Sequence, residues 1–144
     1  MDKLFADTDI FGIAVDPDED RRESVWDTLD EVSNGKYKFF TSEIVLAEIE
    51  DNTHKTTREK EKELIDATVD EIVELSEDII ELSDKLVNEV NLGIIDSHIL
   101  ATAILNECTF WTGDYELLNQ ETTEEIRDVL EEFDRELEFH YKIE

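Results

Sequence analysis

Proline, cysteine and methionine each occur once in the 144 residues, and glycine only four times. The lone Cys108 cannot close an internal disulfide, so the fold must hold without one. It lies directly before Thr109, Phe110 and Trp111 in an expected strand, and it reads as a small buried hydrophobe rather than a reactive thiol. The scattered glycines leave no glycine-rich phosphate loop, no serine sits in a nucleophile elbow, and His54, His98 and His140 share no metal-ligand spacing. No apolar run reaches the ~18 residues of a membrane span, and no charged leader precedes an apolar segment. The expectation is a cytoplasmic chain with no membrane partner. The largest shortage is of cations: 13 Lys+Arg stand against 41 Asp+Glu, a formal net charge of -28 at pH 7. Such a surface repels a polyanion unless cations intervene or salt screens the field. It also suits a protein adapted to concentrated salt, a hypothesis that fails if the folding midpoint does not rise between dilute buffer and molar KCl.

What is present argues for folding despite this charge. Apolar residues make up 40% of the chain, and their periodicity is regular enough to build a core; the length is that of a single domain, residues 1–144. Residues 3 to 6 read as a short buried strand, followed after a polar loop by a helix with Val25, Trp26, Leu29 and Val32 on one face, ended by Asn34-Gly35. "KYKFFTS" is a second strand, and Ser42 caps the helix "EIVLAEIEDN", which carries Glu48. From Thr56 to Val90 the pattern is helical, with Ile65, Ile72, Ile79 and Leu86 spaced by seven and Val69, Leu75, Leu82 and Val90 between them. One long helix or two stacked ones are expected. Val73, Ile80 and Val87 widen the stripe, favouring a face packed on a core over an intermolecular coiled coil, with Glu71, Glu74, Glu77, Asp78 and Glu81 solvated. Asn91 and Gly93 break this stretch. "IIDSHILATAILNE" then starts a helix with Asp96 near its amino end, followed by the strand "CTFWT", a turn at Gly113-Asp114, a helix near 123 to 135 and a last strand "LEFHYKI". Strands alternating with helices give an α/β sandwich with a parallel sheet.

With so many acids, an acid at any one position means little. The informative ones lie in apolar surroundings, where an ionised group is costly unless compensated. "KLFADTDIFG" and "TFWTGDYELL" are near twins, each an apolar run ending in a carboxylate at a strand's carboxyl end, where open α/β sheets put their ligands. Asp7 and Asp114 meet the test there, as do Glu48 among Val45, Leu46, Ala47 and Ile49, and Asp96 after Ile94 and Ile95; Asp9 and Glu116 are weaker candidates. If these carboxylates converge, their repulsion demands a cation, and hard oxygen ligands without His or Cys select Mg²⁺ or Mn²⁺ over zinc.

"LFADTDIF", "TSEIVLAEIE", "IIDSHILATAI" and "FWTGDYELL" together resemble the four successive acidic motifs of the PIN-domain nucleases, in that family's order and spanning residues 3 to 118. The resemblance implies a three-layer α/β/α sandwich around a central, mainly parallel sheet of four to five strands. It further implies Mg²⁺- or Mn²⁺-dependent hydrolysis of RNA phosphodiesters, an endoribonuclease. On that resemblance Asp7, Glu48, Asp96 and Asp114 form the acidic quartet, with metal on Asp7, Asp96 and Asp114, and Thr8 and Thr112 are the hydroxyl residues beside the first and last acids. Many members carry Asn where this chain has Asp9, which leaves the role of that position open. Small relatives of this kind include VapC-type toxins restrained by an antitoxin, so an antitoxin partner and a homodimer are also implied, alongside a stand-alone role in RNA processing.

Other readings compete. "DTDIFG" also suits an aspartyl-nucleophile phosphatase, but that chemistry wants a lysine after the middle of the fold to stabilise the phosphoryl group; Lys85 lies in the helical region away from any strand end, and Lys142 is the only lysine after it. A non-catalytic, acidic, helix-rich binding protein with four structural acids predicts no stabilisation by metal. Lys36, Lys38, Lys55, Arg58, Lys60 and Lys62 read as solvated helix ends before they read as an RNA contact. His98 reads as a helix-side residue, Trp26 and Trp111 read as core, and Tyr115, just past Asp114, is expected to pack rather than to stack on a base at the rim of the site.

Overall fold

The computed structural model describes residues 1–140. Four parallel strands make one sheet in the order β3-β2-β1-β4: β1 (Asp2–Ala6), β2 (Tyr37–Ser42), β3 (Glu71–Val73) and β4 (Thr109–Trp111). Leu4, Phe5 and Ala6 are wholly buried, as a central parallel strand covered on both faces must be. Phe5 pairs with Phe40 on one side and Phe110 on the other, and the Phe5 and Phe110 rings stack 6.1 Å apart. On one flank α1 (Thr8–Val15) packs against α2 (Arg22–Ser33), α3 (Glu43–Glu50) and α4 (Lys55–Thr68). On the other, α5 (Glu77–Val90) packs against α6 (Ile94–Leu105) and α8 (Gln120–Glu132), with α7 (Tyr115–Leu118) against α8. The result is the expected α/β/α sandwich.

The 56–90 stretch is not continuous helix. The β-branched pair Ile72-Val73 forms β3 beside β2, and Asp70 locks it in place: its N–H donates to the Phe39 carbonyl at 2.8 Å and its Oδ2 accepts from the Phe39 N–H at 2.8 Å. Ser76 then caps α5 by accepting from the Ile79 N–H at 3.3 Å. Strand pairing thus overrides the heptad, and Ile72 stands 43% exposed while Ile65, Ile79 and Leu86 are buried. Helix α1 has no counterpart in the sequence reading because Ile10, Phe11, Ile13 and Ala14 are all buried, leaving little amphipathic period to detect. Helix α8 begins at Gln120 rather than near 123, since Asn119 caps it by accepting from the Thr122 N–H at 2.9 Å. Of the last expected strand, Phe139 makes an isolated parallel bridge to Phe110, and the segment's end lies outside the described residues. Cys108 is buried, and burial pushes its thiol up to about 12, so it stays protonated as a core residue. Among the described residues no helix is long and apolar enough to cross a membrane.

Candidate functional site

The chain runs outward from β1 to β2 and β3, then returns to place β4 on β1's other side, so the strand order reverses between β1 and β4. Open parallel sheets leave a crevice at the carboxyl ends of such a pair. The twin segments meet here: Ala6 lies in register with Trp111, and the Asp7 N–H continues the ladder to the Trp111 carbonyl at 2.9 Å. Asp7 is thereby fixed at the floor of the crevice, 7% exposed. Its Oδ1 accepts from the Thr8 N–H and its Oδ2 from the Thr112 hydroxyl, both at 2.8 Å. Thr112 in turn accepts from the Asp114 N–H at 3.0 Å, while Asp114 caps α7 by accepting from the Glu116 N–H at 2.9 Å. The Thr8 hydroxyl donates to Glu48 Oε1 and ties α1 to α3.

Asp9, in the first turn of α1, reaches across the crevice. Its Oδ2 accepts from the Gly113 N–H at 3.0 Å, and its Oδ1 is buried with no hydrogen-bond partner. The approach is close: a Cβ at residue 113 would stand 2.9 Å from Ile13 Cδ1, 3.0 Å from Arg21 Nη1 and 3.0 Å from Asp9 Oδ2, so a larger residue would push these side-chain ends, two of them in the clamp, out of place. Asp96 enters from the first turn of α6, half-buried.

These acids disturb one another. Burial first, then the charge of Asp9, raises Asp7 from 3.8 to about 8, against the hydrogen bonds from Thr112 and Thr8. Asp9 rises to about 6, chiefly through burial, with Asp114 adding to the rise and the Gly113 N–H and Arg21 opposing it. Asp96 is raised by desolvation and by the charges of Asp114, Glu48 and Glu116. All four quartet candidates, with Asp9 and Glu116, therefore share one electrostatic neighbourhood. Their side chains do not form a finished cage: among the described residues no three His, Cys, Asp or Glu groups are set to hold an ion. The donor chemistry nonetheless fits a hard divalent cation. Every candidate ligand is an oxygen, the carboxylates raise one another's pKa, and one buried carboxylate oxygen lacks any donor.

Arg21 is the residue that sequence reasoning missed. Its Nε donates to Glu19 at 2.9 Å and its Nη1 to the Gly113 carbonyl at 3.0 Å, and it lowers Asp9. A cation in the acidic run "DEDRRES" was the available signal, but nothing local says which strand end it reaches. Tyr115, expected to pack, is instead 64% exposed, its ring centroid 5.4 Å from the Arg21 guanidinium. Trp111 is wholly buried, Trp26 partly so with its indole N–H on the Ala14 carbonyl at 2.8 Å, and His98 sits half-buried on α6. Lys38 and Lys62 form exposed ion pairs with Glu71 and Glu50. A cavity of about 900 Å³ between α8 and β4 shares no residue with the crevice.

A family model described as the PIN domain matches residues 4–135. Among solved structures, a chain of VapBC2 from Rickettsia felis, bound to a DNA fragment from its promoter, aligns with a TM-score of 0.63 at 19% identity, covering 79% of this chain and 89% of that one. A toxin–antitoxin complex from Klebsiella pneumoniae gives 0.60 at 25% identity, covering 78% and 87%. VapBC-1 from nontypeable Haemophilus influenzae gives 0.64 at 16% identity, covering 98% of both chains. A comparison with curated protein sequences finds no match.

Proposed function

The chain belongs to the PIN-domain family, and from that premise we propose that it is a divalent-metal-dependent endoribonuclease. The observation that carries the reading is the gathering of six acids at the switch point, where burial and mutual repulsion hold Asp7, Asp9 and Asp96 above their ordinary values. Such an arrangement destabilises the bare protein unless a cation answers it. Asp7, Asp96 and Asp114 are the residues to hold Mg²⁺ or Mn²⁺. When bound, the ion supplies a more acidic water and neutralises charge growing on phosphate oxygens.

The remaining tasks fall to the chain itself. The Thr112 hydroxyl and the Thr8 N–H orient Asp7, and Thr112 links that orientation to the turn presenting Asp114. Thr8 holds Glu48 towards the same crevice, where it orients a water or takes its proton. Asp9 and Arg21 clamp the Gly113 turn from its N–H and its carbonyl. The cation also answers the electrostatic objection to an RNA substrate, since a phosphate would meet positive charge where the bare acids repel it.

The structures similar to this chain include toxin–antitoxin complexes, which supports a second element of the proposal: that this is the toxin of such a pair, held by an antitoxin. That it pairs with its own copy is a further element of the proposal. A neighbouring reading frame for a small basic DNA-binding protein would support the toxin role; its absence favours a stand-alone nuclease.

The test is cleavage of end-labelled single-stranded RNA with Mn²⁺ or Mg²⁺, at low and at molar salt, by the wild type and by Asp96→Asn. Metal-dependent cleavage lost in the variant is the expected result. No cleavage by the wild type under any of these conditions would overturn the general ribonuclease and advance the non-catalytic binding protein.

A further inference from the structure

A tyrosine ring that is 64% exposed, one residue beyond a buried acidic crevice, does nothing for the core. Nor is it loose. The guanidinium beside it is anchored at two further points, Glu19 and the Gly113 carbonyl, so the ring is steadied by a cation that is itself fixed. Tyr115 lies between Asp114 and Glu116, both of which act on Asp96. Ile94 and Ile95, which directly precede that acid in α6, are 64% and 46% exposed. Exposed apolar and aromatic residues therefore adjoin the acids in sequence on two elements, α6 and α7.

We propose that Tyr115, backed by Arg21, is a stacking platform for an unpaired base of single-stranded RNA, placed beside the phosphate that the acidic cluster would receive. The proposal rests on the ribonuclease reading and adds to it a residue that binds substrate and favours single strands over duplex. Its physical merit lies in the charge of the chain. Most RNA-binding surfaces draw affinity from phosphate contacts, which 41 acids against 13 cations make expensive here. Stacking on an aromatic face does not depend on net charge and accepts any base. It does require a base free of its own helix, because A-form duplexes hide their bases in the stack, so the platform selects single strands. Arg21 adds a planar cation at the ring, an arrangement that favours both a π-face and a phosphate.

The experiment compares steady-state cleavage of single-stranded RNA by the wild type, Tyr115→Phe and Tyr115→Ala, with Mg²⁺ or Mn²⁺. The substrates are an intact strand, the same strand carrying abasic residues in turn at each position, and its duplex. Tyr115→Ala should raise KM about tenfold, within the range that loss of one stacked base produces, with the loss falling in KM rather than kcat. Tyr115→Phe should keep the wild-type KM. One abasic position should raise the wild-type KM to that of Tyr115→Ala and leave the variant unaffected, and the duplex should be cleaved poorly by all three. An unchanged KM in Tyr115→Ala, with the wild type active, overturns the platform while leaving the nuclease standing. Wild type inactive on every strand removes the ribonuclease reading, and the platform with it.

Discussion

Along α4, β3 and α5 the acids mostly stand in water, and several are answered by lysine: Glu59 by Lys55, Glu71 by Lys38, Glu89 by Lys85, and Glu50 of α3 by Lys62. Over the carboxyl ends of β1 and β4 the acids, Glu116 apart, are buried or half-buried and act on one another, and Arg21 offsets the charge of one of them, Asp9. The first region is dense in acids and costs the fold little, because solvated charges at such distances are screened. In the second, fewer acids raise one another's pKa. Glu61 shows that burial alone does not make the difference. It is 4% exposed within α4, raised by desolvation, and satisfied by the Asn52 amide at 3.2 Å. What marks the crevice is burial together with like charges and an oxygen left without a donor.

The strongest way to break this comparison is to remove one acid from each region. Asp7→Asn and Asp96→Asn should each lower cleavage by more than ~100-fold, since even the partners of metal ligands cost 10–100-fold. Glu77→Gln and Glu81→Gln, on α5, should leave the rate within twofold. Equal losses in both regions, measured on single-stranded RNA, would mean that the acids act through bulk charge.

Next in size is the hydroxyl that orients the floor of the site. Thr112→Val removes the donor to Asp7 Oδ2 and the acceptor for the Asp114 N–H while keeping the buried volume. Cleavage should fall ~10–100-fold, and the variant should need more Mg²⁺ to reach half its maximal rate. A variant with wild-type metal dependence would show that Thr112 serves the fold alone.

The twin strand ends were legible in the sequence because both signals are local: an apolar run, then a carboxylate, with no dependence on the rest of the chain. Their adjacency is what the structure adds, through the Ala6–Trp111 register. The clamp that shapes the site was not legible. Asp9 and Gly113 lie 104 residues apart and Arg21 and Gly113 lie 92 apart, so neither contact leaves any periodicity to read. β3 escaped for the opposite reason: Ile72 fits a heptad so well that local pattern pointed to helix, and only pairing with β2 makes it strand. For Tyr115 the sequence offered both packing and a place at the rim, and packing was favoured because an aromatic beside a strand usually packs; its 64% exposure decides against that.

A third comparison uses protons. Asp7, at about 8 when folded against 3.8 ordinarily, and Asp9, at about 6, bind protons more tightly in the folded protein. Raised values stabilise the fold at low pH, and the contribution is lost as pH climbs through 6 and then 8. The metal-free protein should therefore melt lower at pH 9 than at pH 5, by ~5 °C if the effect is ~2 kcal/mol. Asp7→Asn should raise the melting temperature at pH 9 and flatten the profile. Saturating Mg²⁺ or Mn²⁺ should stabilise the wild type at pH 9 by ~2–3 kcal/mol at a hundredfold excess over its dissociation constant, and Asp96→Asn much less. Calorimetric melts at the two pH values, with and without metal, separate these effects.

The smallest effects belong to the solvated acids. Lys62→Ala, which breaks an exposed pair with Glu50, should leave the unfolding midpoint nearly unchanged in dilute buffer and unchanged in molar KCl. Neutralising Glu77, Glu81 and Asp84 together on α5 should work the other way, easing repulsion within a chain of net charge -28 and raising the low-salt midpoint by a few tenths of a kcal/mol. Screening supplies the same relief, so the gain should vanish in molar KCl while the wild type's own midpoint rises to meet it. A triple variant that stays more stable than the wild type at high salt would mean that α5 benefits from helix propensity or packing rather than from lost charge. The two acid-rich regions would then differ in more than solvation.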